Sequence, residues 1–136
     1  MALEQTLIVI KPDGFRRHLT GRILARFEEK GLQIKNLTSF NFTIDKAQEF
    51  YELHRDKAFF NDLVKFISTG QVVACILEGA NAVAVVRLMI GTTKSFDAAP
   101  GTIRGDFGLG ITDNVIHASD SYESFIKESR VIFDWT

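Results

Sequence analysis

The octapeptide NVIHASDS, residues 114–121, sets a histidine, His117, between an apolar run and residues suited to starting a helix. Histidine is the natural side chain to carry phosphate transiently on nitrogen. Its imidazole is neutral near pH 7, and a neighbouring carboxylate such as Glu128 can fix the ring and its tautomer. Lys11 ends a strand-like run near the start, Arg87 precedes a glycine-rich stretch, Thr92 and Thr93 open that stretch, and Arg104 lies within it. Guanidinium groups bind phosphate oxygens in pairs, so a lysine, two arginines and threonines converging on one cleft suit a polyphosphate. Taken singly, each has a plainer reading. A lone histidine is usually a satisfied core residue, a lysine at a strand end is solvated, and arginines form surface ion pairs.

These residues are far apart in the chain, so secondary structure must bring them together. TLIVI (6–10) reads as a strand that ends in the turn chemistry of Lys11-Pro12-Asp13-Gly14. Thr20 is placed to cap a helix with Ile23, Leu24 and Phe27 on one face and Gly31 as its stop. QIKNLTSFNFTI (33–44) alternates in part, with Phe40, Phe42 and Ile44 on one side, as a half-buried strand does. Asp45 is expected to cap a short helix holding Ala47, Phe50, Tyr51 and His54, and NDLVKFIST a further helix with Leu63, Phe66 and Ile67 facing the core. QVVACILE (71–78) has the continuous apolar run of a central strand covered on both faces. NAVAVVRLMIG fits a strand by its valines and a helix by Asn81 as cap and Gly91 as stop.

From Gly91 to Asp113 the pattern dissolves into a long loop with five of the ten glycines and one of the two prolines. Loops of that length inside a compact domain are usually functional. NVIH then forms a short strand, and Ser119, Asp120 or Ser121 starts a last helix, Asp120 and Glu123 having capping-box spacing. Four strands interleaved with helices make one α/β or α+β domain over residues 1–136.

Composition narrows the function further. With 16 basic and 17 acidic residues the net charge is −1, so no global field draws in nucleic acid or an anionic membrane, and any anion site must be local. The one cysteine, Cys75, sits in the apolar run VVACIL and reads as a small buried hydrophobe. MALEQT lacks the basic and apolar regions of a secretory signal, and no apolar run nears the ~18 residues needed to span a bilayer, so a cytoplasmic location is expected. G-x-x-x-x-G-K-[ST] and a G-x-G-x-x-G after the first strand are both absent. GDFG (105–108) lacks the companion motifs of protein kinases, and Asp106 stands where an RNA-recognition motif needs an aromatic. The histidines and the cysteine show no metal-ligand spacing.

VIKPDG (9–14), PGTIRGDF (100–107) and NVIHASDS together resemble the three signature stretches of nucleoside diphosphate kinases, with matching spacing over roughly residues 4–133. The resemblance implies a ferredoxin-like βαββαβ sandwich: a four-stranded antiparallel sheet with added helices and a long loop, about 91–113, before the last strand. It implies ping-pong transfer of the γ-phosphate of a nucleoside triphosphate to a nucleoside diphosphate, through a phosphohistidine and with magnesium (Mg2+) on the nucleotide's phosphates. His117 would be the nucleophile, and Lys11 would reach the ribose 3′-hydroxyl and the transferring phosphate. Arg87, Thr93 and Arg104 match phosphate ligands, and Asn114 a ribose ligand. Tyr51 matches a hydroxyl beside the histidine, Phe59 the aromatic on which the base stacks, and Leu63 and Ile111 the walls of the same cleft. Ser119 and Glu128 match partners of the histidine, and Asp120 an acid that meets the metal through water. His18 and His54 keep a structural reading.

A homo-oligomer is implied too, a hexamer favoured over a tetramer because Pro100 and its loop are kept, with no membrane or specific nucleic-acid partner. Three features depart from the family pattern. Lys94-Ser95-Phe96 replaces a common Asn-Pro continuation on a surface that makes subunit contacts in many members, and Gly110 and Asp113 replace longer polar or basic residues. The tail after FIKESRVIF is too brief to wrap far around a neighbour. The rival readings are a nucleotide-binding regulatory protein without transfer and a nucleic-acid binder on a ferredoxin-like fold.

Overall fold

The computed structural model describes residues 3–133; the brief tail lies outside them. Strands β1 (Leu3–Ile10), β2 (Gln33–Asn41), β3 (Gln71–Ala80) and β4 (Ile116–Ala118) form one antiparallel sheet in the order β2-β3-β1-β4. Helices α1 (Pro12–Arg16), α2 (Thr20–Lys30), α3 (Ile44–Phe50), α4 (Phe60–Ile67), α5 (Ala82–Ile90), α6 (Ile103–Phe107) and α7 (Tyr122–Phe133) cover both of its faces. This is the expected α+β architecture with its βαββαβ core.

Period two in β1 divides the core. Ile8 and Ile10 pack with Ile23 and Phe27 of α2 and Val86 and Ile90 of α5, while Leu7 and Val9 pack with Phe50, Val64, Ile67 and Phe125 on the other face. Because both faces are covered, Thr6–Ile10 and Val72–Leu77 are buried throughout, as their unbroken apolar runs imply.

Several boundaries differ from the sequence reading. The turn at Lys11 is the first turn of α1, with Pro12 at a position where a missing N–H leaves no hydrogen bond unmade. Thr20 is the first residue of α2 and makes no side-chain cap, whereas Gly31 ends the helix at φ 108°. β2 stops at Asn41, so Phe42 is buried beyond it and Ile44 is half exposed in α3. Thr43, not Asp45, caps α3, its hydroxyl accepting from the Lys46 N–H at 3.1 Å. Tyr51 follows α3 and His54 lies in a 3-10 turn, Glu52–His54. In α4 the core residues are Phe60, Val64 and Ile67, leaving Leu63 and Phe66 half-buried.

The ambiguous segment is helical. Asn81 sits at φ 55° without a side-chain cap, and Glu4 of β1 replaces it, accepting from the Val83 N–H at 2.9 Å. The long loop contains a 3-10 turn, Ser95–Asp97, and α6, whose first turn Thr102 caps by accepting from the Gly105 N–H at 3.0 Å. Ser121 caps α7, accepting from the Ser124 N–H at 3.1 Å; Ser119 and Asp120 are engaged elsewhere.

Candidate active site

β4 is short, but its register fixes what it presents. Val9 pairs with His117, so His117 shares the face of Val9, while Ile116 and Ala118 turn into the opposite core with Ile8 and Ile10. On the His117 face wait the Phe50 ring, edge-on with centroids 4.8 Å apart, the Tyr51 ring at 6.0 Å, and Glu128 from α7. His117 Nε2 lies 2.8 Å from Glu128 Oε1. An ionised carboxylate only accepts, so Nε2 carries the proton and Nδ1 the lone pair. Ser119 Oγ donates to the same carboxylate oxygen at 2.7 Å, which fixes the acid as the acid fixes the ring.

The approach to β4 is strained and braced. Val115 is buried and β-branched yet has φ 75°. Its N–H donates to Asp13 Oδ2 at 3.1 Å and its carbonyl accepts from the Lys11 N–H at 2.8 Å. Gly14 permits this approach, since a Cβ there would lie 2.9 Å from Ile10 and 3.1 Å from Val115. The first signature stretch is thus the brace of the third. Asp13 joins the site with no signal in the sequence that singles it out.

The cavity in front of His117 measures about 420 Å³ and is lined by Lys11, Arg87, Arg104 and Asn114 at its polar end. Lys11 is buried, and its ammonium donates to Asn114 Oδ1 at 2.8 Å and to the Thr112 carbonyl at 3.2 Å. Burial, with the Arg104 charge adding to it, lowers its pKa from 10.5 to about 7, against the pull of Asp13 and Asp113. Asn114 also donates from Nδ2 to the Thr93 carbonyl at 2.9 Å, so one amide joins Lys11 to the loop. Arg104 is anchored to the Ile116 carbonyl at 2.7 Å and the Gly91 carbonyl at 3.1 Å, and its buried Nε has no hydrogen-bond partner among the described residues. Burial, then the neighbouring Arg87 charge, lowers its pKa to about 10, so it stays cationic at neutral pH. Arg87 donates to the Ala118 carbonyl at 3.3 Å and pairs with Asp120 Oδ1 at 3.1 Å.

The remaining wall is apolar. Phe59 is 46% exposed and Ile111 50% exposed, and they line the mouth with Leu63. The Tyr51 hydroxyl is buried beside the site with no hydrogen-bond partner among the described residues, and burial, with the Glu128 carboxylate, pushes its pKa up. Thr93 and Asp120 also line the cavity. Eleven of the thirteen residues singled out in the sequence line one cavity, and the other two, Ser119 and Glu128, stand behind the histidine ring.

His54, structural by its sequence context, also lines the cavity, with a buried Nδ1 that has no hydrogen-bond partner among the described residues and its ring 5.8 Å from Phe59. Burial, then the Lys57 charge, lowers its pKa. Its helical spacing with Tyr51 is the one signal in the sequence that ties it to the site. His18 is an exposed turn residue at φ 60°, not a core residue, and it is not among the residues lining the cavity. Nothing in the sequence marks Arg26 either. Its guanidinium meets Asp106 at 2.7 Å and lies 4.8 Å from the Phe107 ring, while Arg17 donates to the Phe107 carbonyl at 2.6 Å. Together they hold the helix that carries Arg104.

The sequence profile of one protein family, described as Nucleoside diphosphate kinase, matches residues 4–136. A protein of that name from Staphylothermus marinus is 55% identical over 133 residues, 98% of this chain and 94% of its own. One from Hyperthermus butylicus is 56% identical over 133 residues, again 98% of this chain and 94% of its own. Among solved structures, the nucleoside diphosphate kinase of Aquifex aeolicus superposes with a TM-score of 0.94 at 49% identity, covering 97% of this chain and 96% of that one. That of Halobacterium salinarum, solved in complex with CDP, superposes with a TM-score of 0.94 at 42% identity, covering 98% and 90%. Matches of this extent and identity, on a chain whose signature residues converge in one cavity, place it plainly: it belongs to the nucleoside diphosphate kinase family.

Proposed function

We infer that this chain transfers the γ-phosphate of a nucleoside triphosphate to a nucleoside diphosphate, with His117 as the carrier. The observation that carries this reading is His117 itself: its Nε2 is held by Glu128 while its ring faces a cavity lined by Lys11, Arg87 and Arg104. In the first half-reaction the Nδ1 lone pair attacks the γ-phosphorus, and the bond from that phosphorus to the β,γ-bridging oxygen breaks. The nucleoside diphosphate then leaves. In the second half, a terminal β-phosphate oxygen of another nucleoside diphosphate attacks the same phosphorus and the P–N bond breaks. Little covalent work remains beyond the nucleophile, so positioning and charge neutralisation do the rest. Arg87, Arg104, Thr93 and the Lys11 ammonium are assigned to the phosphates, and Lys11 with Asn114 to the ribose. Phe59, Leu63 and Ile111 are assigned to the base. Stacking is indifferent to base identity because every base has a π-face, and a broad substrate range follows. The CDP bound in the Halobacterium salinarum relative supports a nucleotide in this cavity.

A divalent metal belongs with this reaction, and magnesium is the ion we assign. No group of three or more acidic, histidine or cysteine side chains among the described residues could hold one. Magnesium, which keeps its waters and binds one or two carboxylates plus substrate phosphates, fits a site offering only Asp120. Bound there it would supply further neutralisation of phosphate charge.

We also assign residues 1–136 to a single domain and infer a homo-oligomer, hexameric in preference to tetrameric. No helix among the described residues is long and apolar enough to cross a membrane, and a cytoplasmic location is part of this proposal. The test is incubation with γ-labelled ATP and magnesium. Label is expected on the protein, stable in base, lost in acid, and absent from His117→Ala. A wild-type chain that takes up no label would sink the reading.

A further inference from the structure

Val115 is the middle residue of a three-residue turn: the Ile116 N–H donates back to the Asn114 carbonyl at 2.8 Å, and Val115 has φ 75°. Such a γ-turn is rare and strained, the more so on a buried β-branched residue. Two bonds from the other end of the chain hold it, one to Asp13 Oδ2 at 3.1 Å and one from the Lys11 N–H at 2.8 Å. The Asp13 carboxylate is the one side chain in this brace, and no step of the transfer uses it.

The two sides of the turn are held differently. After it, the sheet pairs Ile116 with Ile10 and His117 with Val9, and Glu128 holds the histidine ring. Before it, Asn114 and Thr112 belong to no strand. Asn114 Oδ1 and the Thr112 carbonyl are the two acceptors of the Lys11 ammonium. An extended Val115 would leave His117 in register and swing Asn114 away from Lys11.

We propose that Asp13 is a positioning residue, whose carboxylate keeps Val115 in the γ-turn and thereby keeps Asn114 and Lys11 together at the polar end of the cavity. This rests on the nucleotide reading of the cavity, in which those two residues meet ribose and phosphate. Order set in advance removes an entropic penalty from binding. Loss of the brace therefore acts on KM more than on kcat.

The test is a rescue. In Asp13→Ala, KM for nucleoside diphosphate should rise about ten-fold, the scale of one strained backbone residue, with a smaller change in kcat. Asp13 also lies close enough to Lys11 for its charge to act there, so lost charge alone could move KM. Val115→Gly separates the two effects, because glycine adopts φ 75° without strain but restores no charge. The double variant should return KM to within about two-fold of wild type, and Val115→Gly alone should match wild type. The buried valine side chain is lost in both, so their melting temperatures stay low while KM recovers. An unchanged KM in Asp13→Ala, a double variant no better than Asp13→Ala, or recovery of KM only together with melting temperature would each overturn the proposal. Amide exchange on the nucleotide-free wild type reads the brace without any variant or assay of activity. A protected Val115 amide supports it and one exchanging at the solvent rate overturns it, whereas failure to form the phosphoenzyme overturns the nucleotide reading instead.

Discussion

Glu128 Oε1 receives two donors at once, Ser119 Oγ at 2.7 Å and His117 Nε2 at 2.8 Å, and this shared acceptor decides which ring nitrogen is free to react. Removing it in Glu128→Ala should leave nucleotide binding intact but let the imidazole turn and change tautomer. A fall in kcat on the order of 10- to 100-fold with little change in KM is expected, read by single-turnover phosphorylation. Lys11 makes the opposite trade. Its pKa is near 7 in the folded chain against an ordinary value of 10.5 once unfolded, so the unfolded chain binds the extra proton between those values. Stability attributable to this residue is lowest below pH 7 and recovers as pH rises from about 7 to 10.5. Lys11→Met should therefore unfold at higher denaturant than wild type at pH 6.5, with the gap narrowing by pH 10, while its phosphoenzyme yield collapses. A gap that widens with pH would contradict the burial account. Lys11, Arg104, Asn114 and His117 are legible in the sequence as cavity residues because they fall in three short stretches rich in reactive types. Asp13 and His54 are not, because a carboxylate bracing a backbone N–H and a histidine at helical spacing look structural until the fold places them.

At the scale of elements, the same residues depend on α6, five residues long and flanked by glycines. By sequence this segment looks like loop, since Gly101, Gly105 and Gly108 hide a helix that stands on its Thr102 cap and on tertiary contacts. Gly105 is required for space, because a Cβ there would overlap the Ala99 carbonyl. Asp106 accepts from Arg26 at 2.7 Å and from the Gly101 N–H at 2.9 Å, two residues from Arg104. The pair is partly exposed, with 30% of each side chain accessible, so Arg26→Ala should lower stability by less than about 1 kcal/mol. Its larger effect should fall on Arg104: roughly ten-fold in kcat/KM, since small misplacements of positioned groups are felt strongly in transfer reactions. Asp106→Asn should do the same, and the double variant should be no worse than either alone, because both remove one contact. Additive losses would show that the two act separately. The departures at positions 110 and 113 prove to be linked, since a Cβ at Gly110 would overlap Asp113 Oδ1. Strand-period alternation and the covered strands are legible from pattern, whereas caps at Thr43, Glu4 and Ser121 are not, because several polar residues at each helix start compete for that role.

Across the whole molecule, a net charge of −1 coexists with three cationic side chains, Lys11, Arg87 and Arg104, around one cavity, so the attraction for phosphate is local. The outside carries its own information. Leu109 is 82% exposed, Leu88 78% and Phe96 61%, and among the described residues β2, with Leu37 exposed on it, leaves one edge of the sheet unpaired. Soluble monomers rarely show that much large apolar side chain, and open strand edges invite pairing with another copy. Phe96 and Leu109 both belong to the segment whose inner side forms the cavity wall, so a neighbouring copy packed there would brace the site from outside. Closed symmetric assembly is the expected consequence, and light scattering should return a mass of six chains, 6 × 15.3 kDa. Leu109→Asp places a charge on that outer surface without touching the cavity lining. It should shift the mass downward and lower the melting temperature. The stabilisation lost per chain should be about that of burying one leucine, 1.5–3 kcal/mol. Phosphoenzyme should still form on His117, because no group that meets phosphate has changed. A wild-type mass of one chain at micromolar concentration would remove the assembly from the account and leave those apolar side chains to another partner.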